Sequence, residues 1–283
     1  MQKIEEYPYC FHTLSNGIRL VHRYTPSIVS HCGLTIGIGS RDEKLSENGT
    51  AHFVEHCLFK GTSKRKAYRI LDCIDGVGGE LNAFTTKEET CVYGLYLEQY
   101  HERFLELLAD IVFHSTFPEQ AIEKEKEVIL DEINSYMDTP SEQIFDDFEY
   151  RLFGNRGLGR MILGTPDKVK AMTRERLQDF VRANYTTDNM VISTITSIPA
   201  DKWFAMCEKH LGKEPKTERT NKRSSIGIYK PTYKCIDRDT YQSHIIIGNR
   251  AYSYRNPKKV AFSLLNNILG SGAMNSFLNM HIR

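Results

Sequence analysis

The segment His52-Phe53-Val54-Glu55-His56 combines residue types and a spacing that suit metal-dependent hydrolysis. Side chains four residues apart project from the same face of an α-helix, so His52 and His56 can bind one metal ion. Two imidazoles with one carboxylate from elsewhere form a ligand set of zinc hydrolases, which keep a fourth position for water. Glu55 lies beside the histidines and remains free to act as a base. A pair of exposed histidines on a helix that binds no metal is the alternative.

A third ligand is expected on a second helix that carries carboxylates at helical spacing. Residues 118–138 predict such a helix, because proline suits a first helical turn and the apolar positions follow one stripe. Within it, Glu125 and Glu132 are two turns apart and project from the same side. Either carboxylate can reach a metal, but an acidic face interleaved with Lys124 and Lys126 also fits an ordinary solvated helix. Spacing alone does not decide between these interpretations.

From about residue 10 to its last residue, the sequence resembles the pitrilysin (M16) family of zinc metallopeptidases. The order His-x-x-Glu-His is the inverzincin signature, the reverse of the commoner His-Glu-x-x-His. The other motifs that carry the resemblance are Gly49-Thr50-Ala51, Phe59-Lys60-Gly61-Thr62, Leu163-Gly164-Thr165 and the stretches 78–85 and 125–133.

This resemblance implies a zinc-dependent endopeptidase that acts on peptides or unfolded polypeptides. It implies one Zn²⁺ per chain, held by His52, His56 and Glu132. Glu55 is then the residue that activates the zinc-bound water, and Glu125 is the residue that assists the site from behind the ligands. The resemblance also implies that the strand containing Asn82, Ala83 and Phe84 offers its edge to an extended substrate. From the residues alone, Asn82 and Phe84 are more simply ordinary strand and core positions.

The order of predicted elements favours an α+β fold, with an antiparallel sheet covered by helices and followed by the start of a second, homologous domain. We predict a zinc-binding domain at residues 1–215, a linker at about 213–225 and a second domain at residues 226–283. Asn16-Gly17 predicts a hairpin turn, and Asn48 or Thr50 is expected to cap the zinc helix. The predicted strands are 10–14, 18–24, 32–38, 80–86, 90–97, 190–195, 233–236 and 244–247, and the predicted helices are 66–76, 100–114, 118–138, 140–153, 173–183 and 260–269.

The composition indicates a globular protein and narrows the choice of partners. The 283 residues are 40% hydrophobic and carry a formal net charge of +1, which gives no electrostatic reason to bind nucleic acid or an acidic membrane. No secretory or import pattern opens the sequence, and no apolar run reaches the length of a membrane span. The seven cysteines form no Cys-x-x-Cys pair and favour reduced thiols. A cytoplasmic location is therefore expected.

The resemblance also bears on partners and on rival functions. Family members continue well beyond the length seen here, so we expect a truncated chain that pairs with a second M16-type half or forms a homodimer. A non-catalytic assembly subunit is the main alternative, although such subunits usually lack an intact zinc motif. A structural zinc protein needs a fourth protein ligand, and no cysteine has a suitable spacing. The S-ribosylhomocysteine lyase family has a similar motif, but its chains are much shorter and lack the Glu132 helix.

Overall fold

A six-stranded mixed sheet is the scaffold of the first part of the chain. The structure is a computed structural model that describes residues 7–223, 225–270 and 274–282. The strands are β1 (Tyr9–Thr13), β2 (Arg19–Tyr24), β3 (Val29–Ile36), β4 (Glu80–Thr85), β5 (Thr90–Leu97) and β6 (Met190–Thr196). Their order across the sheet is β1-β2-β6-β3-β5-β4. All neighbours are antiparallel except β2 and β6, so the α+β prediction is confirmed with one parallel pair added.

Ten α-helices are found in the described part of the chain. The predicted helices are confirmed with small changes at their ends, whereas α6, α8 and α10 were not predicted. Their bounds are α1 (Thr50–Leu58), α2 (Ala67–Asp75), α3 (His101–His114), α4 (Glu119–Met137), α5 (Pro140–Phe153), α6 (Pro166–Lys170), α7 (Arg174–Asn184), α8 (Ala200–Leu211), α9 (Lys259–Gly270) and α10 (Phe277–Ile282).

The core lies between one face of the sheet and the helices that cover it. Leu34 on β3 is paired directly with Val92 on β5 and Ile192 on β6, and all three side chains are fully buried. From the helices, Phe104 on α3 stacks on Tyr96 at a ring distance of 4.3 Å. Burial of each such side chain contributes about 1.5–3 kcal/mol. This packing fixes the sheet as the base on which the other helices are placed.

The sequence contains an apolar pattern that predicts helix α8. Trp203, Cys207 and Leu211 follow one another at intervals of four residues, and all three are fully buried. This spacing puts them on one face of a helix that packs against α3 and β2. The same periodicity used for the other helices would therefore have predicted this one.

The start of α1 differs from the prediction that Asn48 or Thr50 caps it. Gly49 occupies the capping position with φ of +98°, a conformation that glycine adopts without steric cost, and no capping side-chain oxygen comes from that residue. The Thr50 hydroxyl donates to the Glu47 carbonyl, and the Asn48 amide donates to Glu43 and to the Met161 carbonyl. Both side chains act as donors in these bonds, and among the described residues no hydrogen bond from the first turn of α1 to either side-chain oxygen is found.

The chain divides into two compact units, Met1–Gly227 with Asp239–His244 and Ile228–Arg238 with Ile245–Arg283. The domain bounds proposed from the sequence stay a prediction. In the second unit the helix predicted at 260–269 is confirmed, but the strands predicted at 233–236 and 244–247 are irregular. Within the described residues no neighbouring strand pairs with them, and an apolar run needs such a partner to satisfy its backbone groups. Several of their large side chains are accordingly exposed.

The segment predicted as a linker is bonded to the first unit along residues 217–223. The backbone of Thr217 bonds Thr187, and the Arg219 side chain pairs with Asp42 at 2.9 Å. Arg223 reaches Asp42 at 2.8 Å and Glu88 at 3.3 Å. Because the Asp42 side chain is only 3% exposed, two guanidinium groups here neutralise a carboxylate withdrawn from water. Residues 217–223 are therefore held against the first unit by hydrogen bonds and ion pairs.

The cysteines and the helices bear on the expectations from composition, which stay predictions. All seven cysteines lie in the described part of the chain, and each is a free thiol. Cys57, next to the histidine motif, is fully buried in the core. Among the described residues, no helix combines the length and the apolar character that crossing a membrane requires.

Candidate metal centre

Helices α1 and α4 bring three potential metal ligands together. His52 and His56 lie one turn apart on α1, with ring centroids separated by 4.6 Å. From α4, the Glu132 Oε2 atom lies 3.7 Å from His52 Nε2 and 3.6 Å from His56 Nε2. One ligand atom from each residue lies within 4.8 Å of the other two. Residues far apart in sequence therefore converge at one point.

The spacing and chemistry of these atoms fit a zinc ion. With bonds of about 2.0–2.1 Å, tetrahedral zinc separates two of its ligand atoms by about 3.3 Å. The distances from Glu132 to the two imidazoles exceed that value by only a few tenths of an ångström. Two imidazole nitrogens and one carboxylate oxygen are a donor set of hydrolytic zinc, and three protein ligands leave a position for water. Such a donor set suits a catalytic zinc better than a structural one.

A buried carboxylate orients His56 from behind. The His56 Nδ1 atom lies 3.1 Å from Glu125 Oε2, and the Lys60 ammonium lies 2.8 Å from the other oxygen of Glu125. An imidazole that donates from Nδ1 to a carboxylate presents Nε2 as its free ligand atom. Glu125 is 7% exposed, so the charge of Lys60 offsets the cost of burying a carboxylate there. Lys60 belonged to a motif that carried the resemblance, but no role in the site was predicted for it.

Glu55 lies on α1 against β4, outside the three-residue cluster. Burial raises the pKa of Glu55 above its ordinary value, while the nearby Thr85 hydroxyl and the charge of His56 act in the opposite direction. Burial and then the charge of Glu55 raise the pKa of Tyr185, which places that phenol in the same electrostatic environment. A carboxylate whose pKa is shifted towards neutrality is better suited to exchange protons at neutral pH. Sequence reasoning identified Glu55 but neither Thr85 nor Tyr185.

The three clustered residues have different proton affinities. Burial, with a contribution from the charge of His56, lowers the pKa of His52, so this imidazole is neutral at pH 7. Burial also acts to lower the pKa of His56, but Glu132 and Glu125 outweigh it and the net shift is upward. Interaction with His56 lowers the pKa of Glu132, which therefore stays ionised. His56 is the group from which a metal would have to displace a proton.

The strand assigned to substrate binding lies at an edge of the sheet. Within the described residues, β4 pairs with β5 on one side and has no strand on the other. Asn82 and Phe84 are exposed, whereas Ala83 is half-buried and packs against the core. The β4 strand also contacts α1, which places this edge next to the histidine helix. Asn82, Ala83 and Phe84 therefore lie on an edge strand that contacts α1, and their role in binding substrate stays a prediction.

We expect zinc binding to weaken as the pH falls, starting above the ordinary imidazole pKa of 6.5. The proton on His56 competes with the metal, so each pH unit below its raised pKa lowers the apparent affinity by up to about tenfold. In Glu125→Gln, one interaction that raises the pKa of His56 is lost. The onset of proton competition then moves to lower pH, while affinity at pH 8 falls by about 10–100-fold because the imidazole is less well oriented.

A chelator-competition titration between pH 5 and 8 measures both quantities. Glu123→Gln is the matched control, because Glu123 is an exposed carboxylate of the same helix that pairs with Lys126. A Glu125→Gln profile that overlays the wild-type profile would contradict the orienting role of Glu125.

The fold and the three-residue cluster fit a metallohydrolase domain, and comparison with known proteins defines the group more closely. Residues 19–166 match the family model described as insulinase, peptidase family M16, and residues 171–283 match the peptidase M16 inactive domain. The first match contains His52, Glu55, His56 and Glu132. The chain belongs to peptidase family M16.

Two relatives agree with this membership, and one solved structure shares the fold. An uncharacterized zinc protease of Mycobacterium leprae is 37% identical over 97% of this chain, and the zinc protease YmxG of Bacillus subtilis is 36% identical over 96%. The chain spans 62% and 66% of the lengths of these two relatives, less than two thirds of each. A protease from Helicobacter pylori has the same fold, with a TM-score of 0.84 at 20% identity over 98% of this chain and 68% of its own. The cytoplasmic location expected from the sequence stays a prediction.

Proposed function

We propose that this protein is a zinc-dependent endopeptidase that holds one Zn²⁺ per chain on His52, His56 and Glu132. The observation that carries the proposal is the convergence of these three ligand atoms next to a carboxylate that is free to exchange protons. The names of the relatives, which are zinc proteases, support the same reaction class. An assembly role without catalysis is less well supported, because the described site keeps both its ligand cluster and Glu55.

The chemistry divides between the metal and the protein. When bound, zinc would lower the pKa of a water molecule and polarise the scissile carbonyl. Glu55 accepts the proton of the attacking water, and the same carboxyl group then delivers it to the departing amide nitrogen. Glu125 holds His56 in the orientation in which Nε2 faces the centre. Burial of Glu55 supports this cycle, because it narrows the gap between its pKa and neutral pH.

The proposed substrate is an extended peptide or an unfolded polypeptide. The edge of β4 offers unpaired backbone groups beside α1, so a substrate strand can extend the sheet through main-chain hydrogen bonds. Such pairing depends little on side chains and is compatible with varied sequences. Asn82 and Phe84 are exposed on this strand and are the side chains proposed to contact substrate.

We also propose that a second M16-type half completes the substrate chamber. Residues 171–283 match a family model that is described as an inactive domain, which supports an organisation into unlike parts. A homodimer would supply such a second half from another copy of the chain. Nucleic acid and membrane are not among the proposed partners, since the net charge is +1.

Hydrolysis of unstructured fluorogenic peptides tests the function directly. The 283-residue protein, loaded with zinc, is expected to cleave internal peptide bonds only weakly by itself, to lose this activity with a chelator and to regain it when zinc is restored. Cleavage that survives complete removal of metal would contradict the zinc mechanism. Stoichiometric zinc without cleavage of any peptide, also after a second M16-type half has been added, would favour the assembly role.

A further inference from the structure

The helix that carries the proposed zinc ligands starts very close to them. α1 is nine residues long, and His52 is its third residue. The backbone N–H groups of a first helical turn have no partner within the helix and must be satisfied from outside. At α1 no side chain of the capping residue does so, because that residue is Gly49. The direction of the first turn therefore depends on a partner from elsewhere.

Glu43 supplies this partner from the loop that precedes the helix. Its Oε1 atom accepts from the Ala51 N–H at 2.7 Å, and its Oε2 atom accepts from the Gly49 N–H at 3.0 Å. Oε2 also accepts from the Asn48 side-chain amide at 3.1 Å. One carboxylate thus bonds the residue before α1 and the residue before His52. Burial raises the pKa of Glu43 to about 7, against the opposing effect of these three donors, so at pH 8 the side chain is mostly ionised and places negative charge at the positive end of the helix dipole.

Glu43 is itself firmly held. The residue is 5% exposed, and the Arg160 guanidinium donates to its backbone carbonyl at 2.6 Å. The Asn48 amide continues to the Met161 carbonyl at 2.9 Å, which ties the same loop to residues 160 and 161. Burial of a carboxylate costs free energy unless hydrogen-bond donors surround it. The Gly49 N–H, the Ala51 N–H and the Asn48 amide are three such donors, and they offset the burial of Glu43. Glu43 touches none of the proposed ligands.

We propose that Glu43 is a positioning residue, which fixes the first turn of α1 so that His52 and His56 face Glu132. This inference rests on the proposed function, because its effect is a change in zinc affinity. The hydrogen bonds that Glu43 accepts from Gly49 and Ala51 are its structural basis. An error at the start of so short a helix moves both imidazoles, because they lie within the next two turns. The Glu132 ligand comes from α4 and does not move with them. Loss of Glu43 therefore separates the ligand atoms without removing any of them.

The test uses Glu43→Gln, which keeps the size of the side chain but turns an NH₂ group towards backbone donors. Zinc affinity measured by chelator competition at pH 8 is expected to fall by about 10–100-fold. In metal-free protein, the amides of Gly49 and Ala51 are expected to exchange hydrogen faster than in the wild type. Glu47→Gln is the matched control, because Glu47 lies in the same loop and its carboxylate pairs with the exposed Lys44.

Measurements are made on samples whose far-ultraviolet circular dichroism equals that of the wild type. If Glu43→Gln does not fold, Glu43→Asp keeps the charge but is too short to reach both N–H groups, and the same two losses are expected from it. A folded variant with unchanged zinc affinity would overturn the proposal, even if its amides exchange faster. Failure of the proposed function looks different, because the wild type itself would then bind no zinc.

Discussion

Glu55→Gln is expected to stop peptide hydrolysis and to leave zinc binding unchanged. The amide has nearly the size of the carboxylate but cannot accept a proton from the attacking water. Loss of a positioned acid or base lowers rates by about 10²–10⁴-fold, and here the same group serves in two proton transfers. We therefore expect kcat/KM to fall by at least about 10³-fold. Zinc content should stay at one ion per chain, because all three proposed ligands remain.

The measurement pairs fluorogenic peptide kinetics with elemental analysis of the same samples. Glu127→Gln is a suitable control, since Glu127 is an exposed carboxylate on α4 away from the cluster. Wild-type activity in Glu55→Gln would mean that another group takes the proton. Loss of zinc in this variant would instead make Glu55 a ligand and would require a different assignment of the site.

Glu132→Gln is expected to lower zinc affinity more than Glu125→Gln or Glu43→Gln does. Glu132 supplies the anionic ligand, and its Oε2 atom is within 3.7 Å of both imidazoles. Residues that only orient a ligand change metal affinity by about 10–100-fold, so replacement of a direct anionic ligand should cost more than 100-fold. A neutral amide oxygen also removes the carboxylate that helps to raise the pKa of His56. Peptide hydrolysis should fall with zinc occupancy.

Chelator competition at pH 8 gives the affinity, and excess zinc separates the two possible causes of lost activity. If Glu132 is a ligand, added zinc should restore part of the activity of the variant, whereas it should not restore Glu55→Gln. Glu127→Gln again serves as the control on the same helix. Stoichiometric, tightly bound zinc in Glu132→Gln would contradict the ligand assignment and would point to another third donor.

Many helices, strands and turns of the fold could be predicted from the sequence, because the residue patterns that define them are local. The Asn16-Gly17 turn, the strand at 90–97 and the helices at 100–114 and 118–138 all appear close to their predicted positions. Each rests on a period of 2 or 3.6 residues or on a turn residue, which neighbouring positions define without help from the rest of the chain. The strands predicted at 233–236 and 244–247 failed, because an alternating pattern cannot supply the partner strand that it needs.

The order of the strands in the sheet could not be predicted from such local patterns. β6 lies between β2 and β3, although a long stretch of chain separates it from both. This placement creates the one parallel pair and leaves β4 at the edge beside α1. Strand order depends on which apolar faces pack together, and that is decided by the whole core. The edge location of Asn82 and Phe84 is a consequence of this packing.

The sequence by itself determined which side chains share a face: His52 with His56 on one helix, and Glu125 with Glu132 on another. It could not decide whether the acidic face of the second helix is exposed to solvent or faces the histidines. Periodicity shows which residues share a face of one helix, but not which helices lie next to each other. Only the tertiary structure brought Glu132 to the imidazoles, placed Lys60 against Glu125 and turned Glu43 towards α1. These contacts join segments through buried hydrogen bonds and packing. Local spacing defines candidates for chemistry, and the folded core decides which of them meet.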